Sequence, residues 1–153
     1  MSIAFFLCFF LFFNSALPMI IPNPNCNQYF SYAPVSENNY IGIFTANRAN
    51  IKDFYWEAKF SSMGANMNEI GILNPYPSEE AVLASIRYGN PVQMYVNFIN
   101  IVDELPLLTH FALNGETLCT NAKYAHPETT VRVARKMSVL SGAQVKPPAS
   151  GTN

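Results

Sequence analysis

From Lys52 to Ser61 the chain reads Lys-Asp-Phe-Tyr-Trp-Glu-Ala-Lys-Phe-Ser, with an apolar side chain at every second position from Phe54. Successive side chains of an extended strand leave opposite faces. Phe54, Trp56, Ala58 and Phe60 therefore point one way, and Asp53, Tyr55, Glu57 and Lys59 the other. A strand of this kind is half-buried and needs a layer of apolar residues to cover it.

The rest of the chain supplies such layers in short pieces. Tyr29 to Pro34 alternates weakly. Tyr40 to Thr45 is rich in β-branched and aromatic residues and is bounded by Asn-Asn and Asn-Arg. Glu69 to Leu73 reads as a further short strand, closed by Asn74-Pro75-Tyr76-Pro77. Ser78-Glu79-Glu80 caps a brief helix that runs to Tyr88 and stops at Gly89, with Ala81, Val82, Ser85 and Ile86 at helical spacing. Alternation returns from Pro91 to Asn100, where Val92, Met94, Val96 and Phe98 share a face. Leu107 to Leu113 and Glu116 to Thr120 flank Asn114-Gly115, a pair that accepts positive φ at both turn positions. Short strands at regular spacing with one helical insert predict an all-β fold, an antiparallel β-sandwich of Ig-like architecture.

The chain has three cysteines. Cys8 lies within the apolar run from Ile3 to Phe13, which matches a signal-peptide core and is shorter than the roughly 20 residues of a membrane span. Residues 1–16 are accordingly predicted to be a signal peptide cleaved after Ala16. The product is then secreted, with no stable membrane insertion after cleavage. Cys26 and Cys119 remain and are predicted to pair. Closing that long a loop is worth about 4 to 5 kcal/mol on the chain-entropy argument. The domain is placed at 17–122, followed by a basic, largely flexible tail at 123–153, within which Thr130 to Leu140 reads only as a weak strand or helix. Between Leu17 and Cys119 nine acids face four bases, whereas the residues after Cys119 are basic. An acidic body does not suit nucleic acid, so no nucleic-acid partner is expected.

Several blocks together resemble the N-terminal domain of gastrulation-defective-type insect serine proteases. They are Cys26-x-x-x-Phe30-x-Tyr32, Tyr40-Ile41-Gly42-Ile43, Asn68-Glu69-Ile70-Gly71-Ile72-Leu73 and Ile86 through Phe98. The most specific block is Leu105-Pro106-x-Leu108-Thr109-x-Phe111-x-Leu113-Asn114-Gly115-x-x-Leu118-Cys119. Tyr40 stands where that family often has Trp. The resemblance implies a non-catalytic module that precedes a trypsin-like protease domain in secreted proteins of extracellular proteolytic cascades. No Gly-Asp-Ser-Gly-Gly nucleophile segment follows Cys119, so the module and its compartment carry over and protease activity does not.

The residues themselves offer no catalytic set. The two histidines, His110 and His126, fall on a strand and beside Pro127, and neither has the carboxylate and serine partners that a hydrolytic triad needs. Glu79-Glu80 suits a helix N-terminus and Asp103-Glu104 leads into a Pro turn. No ligand spacing for a metal and no Gly-rich phosphate loop is present, so no catalytic residue, metal or cofactor is predicted. Tyr55, Glu57 and Lys59 form a candidate interaction patch with Tyr95, provided their strands are neighbours. The function expected is a secreted, non-enzymatic interaction module whose partner is an extracellular protein, a trypsin-like protease or its zymogen. One alternative is the N-terminal fragment of a secreted trypsin-like endopeptidase. The other is a small apolar-ligand carrier, which needs a sizeable apolar cavity between the sheets.

Overall fold

A computed structural model describes residues 18–37, 39–65 and 68–139; the predicted signal peptide and the end of the tail, residues 140–153, lie outside them. The alternating segment becomes β3 (Asp53–Met63), in which Phe54, Trp56, Ala58 and Phe60 are at most 1% exposed. Around it form β1 (Phe30–Ser36), β2 (Asn39–Ala46), β4 (Asn74–Tyr76), α1 (Glu79–Tyr88), β5 (Val92–Phe98), β6 (Leu107–Leu113), β7 (Glu116–Thr120) and β8 (Glu128–Ser138). The first sheet has the order β1-β2-β5-β4 and the second β7-β6-β3-β8, and neighbouring strands within each sheet run antiparallel. The chain is therefore mostly β, two four-stranded antiparallel sheets packed as a sandwich with one short helix.

Rings fill the space between the sheets. Phe44 of β2 lies 5.0 Å from Phe111 of β6, and Phe60 of β3 lies 5.9 Å from Phe30 and 5.6 Å from Phe98. Burying each such side chain stabilises the fold by about 1.5 to 3 kcal/mol relative to leaving it in water. Cys26, just ahead of β1, bonds Cys119 on β7, so the 93-residue loop is closed by a link between the two sheets with a Cα separation of 5.7 Å. The Asn114-Gly115 turn takes φ of 50° and 82°. Asn114 also clamps the neighbouring strand: its Oδ1 accepts from Tyr55 N at 2.7 Å and its Nδ2 donates to Asp53 O at 2.9 Å. Ser78 Oγ accepts from Ala81 N at the start of α1, and Gly89 ends the helix at φ 70°.

Two parts of the chain differ from expectation. The strand read at Glu69 to Leu73 is a single bridge, Ile70 to Phe98, held by Gly71 N to Asn97 O and Ile99 N to Glu69 O. The short strand β4 instead occupies Asn74–Tyr76, where the sequence predicts a closing turn. Pro75 fits there because β4 is an edge strand and its missing N–H costs nothing.

The second difference is larger. The flexible segment expected from residue 123 contributes β8, which pairs with β3 over its whole length from Asp53–Ser138 to Met63–Glu128. Val133 and Met137 join the core, while Arg132, Ala134 and Lys136 are exposed. Arg135 stands at an inward position and blurs the alternation. Its stem follows the core rim and its guanidinium donates to Leu73 O at 3.1 Å, 3.8 Å from Glu79 across the sheet gap.

Gly42 gives a test of how tightly the sheets meet. A Cβ there would fall 2.6 Å from Phe30 Cε2 and 3.1 Å from Phe98 Cζ, in a cluster where Phe30 is held by Tyr32, Phe44 and Phe60. Gly42→Ala should cost about 1 to 3 kcal/mol through displaced rings, measured by urea unfolding. An unchanged midpoint would show that Phe30 moves freely.

Candidate recognition faces

The predicted patch divides in two. Tyr55, Glu57 and Lys59 lie together on the outer side of β3, in the second sheet, whereas Tyr95 lies on the outer side of β5, in the first. The two strands belong to different sheets, so the condition for a shared patch fails. On the β3 side the missing participant is Arg132 of β8, opposite Lys59 in register. Its Nη2 donates to Tyr55 Oη at 2.8 Å and to the Glu57 carboxylate. That hydrogen bond, chiefly, holds Glu57 below the usual carboxylate range, and Glu57 in turn raises the Arg132 guanidinium. His110 stands opposite Lys59 on the other flank, and Lys136 lies 3.9 Å from Asp53. The outer face of the second sheet is thus a mosaic of mutually paired charges.

The first sheet has the opposite character. Its strands β1, β2, β5 and β4 contain no Asp, Glu, Lys, Arg or His. Residues alternating with the buried Phe44, Ala46, Val92, Met94, Val96 and Phe98 form its outer face. One register row runs Ser31, Ile43, Tyr95, Asn74, and the next Thr45, Gln93, Tyr76. Tyr95 and Tyr76 meet edge to face at 6.0 Å, and Gln93 Nε2 donates to Thr45 Oγ1 at 3.0 Å. At one end Val35, Ile41 and Ile99 line an open cleft of about 460 Å³. Val35 is 65% exposed and Ile99 43%. Covering such a face desolvates no charge. Tyrosine enrichment and charge depletion are the composition of an interface centre.

The remaining polar clusters serve the fold. Tyr32 Oη donates to Pro106 O at 2.7 Å, and Tyr124 Oη lies 2.8 Å from Glu104 Oε1 and 2.9 Å from Leu105 O. Burial is the main force that pushes both phenols up, so they stay protonated as donors that fasten the crossing from β5 to β6. Glu128 accepts from Ser61 Oγ at 2.8 Å, the principal reason its carboxyl is lowered, and lies 3.3 Å from Lys123. Ser61 is 0% exposed and cannot meet a substrate. Among the described residues, no group of three His, Cys, Asp or Glu is placed to hold a metal.

With this geometry in hand, the family model for the serine protease gd N-terminus matches residues 24–129, more than half of the chain. The chain belongs to that family. The match holds Cys26, Cys119 and all four strands of the first sheet, and stops as β8 begins. No curated protein and no solved structure matches the chain. The family is defined by the N-terminal portion of these proteases, which is not their catalytic domain.

The Arg132–Glu57 bond supplies a titration test. Glu57 has a depressed pKa in the folded state, so its contribution to stability is present above the ordinary carboxylate range and is lost as pH falls through the folded value. In Arg132→Ala the Glu57 carboxyl should titrate closer to its ordinary range, followed by carbon-detected NMR. A Glu57 titration that does not move would assign the shift to some other group.

Proposed function

We propose that the domain is a secreted, non-catalytic recognition module that binds a trypsin-like protease or its zymogen in an extracellular proteolytic cascade. The observation that carries this reading is the charge-free outer face of the first sheet, with Tyr95, Tyr76, Ile43 and Ile41 displayed on a rigid support. Rigid tyrosines contribute contact area at little cost in side-chain entropy, and their hydroxyls tolerate either solvent or a partner. Membership of the gd N-terminal family supports a protease context, and the Cys26–Cys119 disulfide supports an oxidising compartment. No helix among the described residues is long and apolar enough to cross a membrane.

The carrier alternative lacks comparable support, because Trp56, Phe44, Phe54, Phe60 and Phe111, all under 2% exposed, occupy the space between the sheets. Recognition through the first sheet is compatible with the module acting alone or ahead of a protease domain.

Placing a charge at the centre of the face tests the reading. Ile43→Lys sits on the outer side of β2, and Lys59→Ala changes the opposite face of the sandwich. Capture from extracellular fluid by the wild-type domain should retain a trypsin-like protease or zymogen. Ile43→Lys should weaken that interaction about tenfold or more, corresponding to roughly 1.4 kcal/mol, while Lys59→Ala leaves it unchanged. Near-ultraviolet circular dichroism checks that both variants are folded. Equal retention by Ile43→Lys would remove the first-sheet face from consideration.

A further inference from the structure

An asparagine followed by glycine is prone to deamidation, because glycine has no side chain to shield its backbone nitrogen from the asparagine carboxamide. The sequence has one such pair, Asn114-Gly115, at the tip of the hairpin between β6 and β7. Both residues are exposed, and a Cβ on Gly115 would meet nothing within 4 Å, so water reaches the turn. The reaction proceeds without an enzyme. The Gly115 nitrogen bonds to Asn114 Cγ, its proton passes to the departing amide nitrogen, and the Cγ–Nδ2 bond breaks to release ammonia. Water then opens the resulting succinimide at either carbonyl, leaving aspartate or isoaspartate.

The fold opposes the first of these steps. Asn114 is tied to β3 at three atoms: its N donates to Tyr55 O at 2.8 Å, its Oδ1 accepts from Tyr55 N at 2.7 Å, and its Nδ2 donates to Asp53 O at 2.9 Å. Oδ1 and Nδ2 are both bonded to Cγ, so the carbon under attack is held against β3 from two sides. Swinging it onto the Gly115 nitrogen breaks both side-chain hydrogen bonds. The products no longer fit this clamp. In aspartate a carboxylate oxygen replaces Nδ2 and faces the Asp53 carbonyl with no proton between them. In isoaspartate the backbone gains a methylene, which disrupts a two-residue turn built on φ of 50° and 82° and closed by the Leu113–Glu116 pair.

We infer that Asn114 is a deamidation site gated by the contact between the hairpin and β3. While the clamp holds, the carboxamide is shielded. Each opening of the hairpin exposes it, and conversion then keeps the clamp from re-forming, so the modification accumulates on chains whose second sheet has opened at this end. The gate consists of the Asn114 hydrogen bonds. The nearby Arg48–Glu116 pair, 37% and 62% exposed, adds little to it. The site is separate from the first-sheet face and does not depend on it.

The test incubates the full, disulfide-bonded chain at mildly alkaline pH, folded and in concentrated urea, beside a blocked Leu-Asn-Gly-Glu peptide under both conditions. Peptide mapping by mass spectrometry follows aspartate and isoaspartate at position 114. The unfolded chain should convert at the rate of the peptide, and the folded chain on the order of tenfold more slowly. A folded chain that converts as fast as the peptide would overturn the inference. An unfolded chain as slow as the folded one would do the same, since the protection would then not come from the fold. Asn114→Asp should lower the folded-to-unfolded ratio on the order of fivefold in urea unfolding. Glu116→Gln, which alters the same hairpin but leaves the clamp, should change that ratio by less than about twofold. An Asn114→Asp chain as stable as wild type would show that the clamp accepts a carboxylate, and the inference would fall.

Discussion

The meeting of Phe30, Phe44 and Phe98 with Phe60 and Phe111 is the contact on which the other features rest. These rings come from five strands distributed over both sheets, and their centroids lie 4.8 to 6.2 Å apart. Their removal from water holds two sheets that share no backbone ladder. The disulfide adds to this at one flank by shrinking the unfolded ensemble rather than by adding contact area. On the opposite flank Arg135 spans the gap with its guanidinium on Leu73 O. The sandwich is therefore closed by a covalent link on one side and a charge-assisted hydrogen bond on the other.

Much of this was legible in the chain because it depended on local pattern. β3, β5 and the Asn114-Gly115 hairpin each carry a short-range signal, strict alternation or a positive-φ turn, that survives without knowledge of neighbours. Capping of α1 by Ser78 and its stop at Gly89 are equally local. β8 was obscured because Arg135 interrupts the alternation of Val131, Val133 and Met137, and a basic run reads as a solvated tail. Only the acceptor at Leu73 O, brought from sixty-two positions away, makes an inward arginine acceptable. The displacement of the predicted strand at Glu69 to the bridge at Ile70 and to β4 has a similar cause, since β5 decides where pairing is possible.

The candidate site was less legible than the fold. Tyr55 and Tyr95 share a polar strand face in the sequence, but side-chain alternation carries no information on which strands are adjacent. The structure puts Tyr95 beside Tyr76 and Ile43, and Tyr55 beside Arg132. The charge-free character of β1, β2, β4 and β5 was visible residue by residue. It acquires meaning only when topology gathers those strands into one sheet.

That segregation of charge divides the labour of the two sheets. A fold of this size needs surface charge for solubility, and every Asp, Glu, Lys, Arg and His within its strands lies in the second sheet. There the charges are paired across strands, Arg132 with Glu57 and Lys136 with Asp53, so the face is hydrated and its register reinforced. The first sheet is left free to be covered without stripping water from an ion, a penalty that would otherwise oppose association. One neutral face and one hydrated, charge-paired face thus follow from a single asymmetry in where the sequence places its ions.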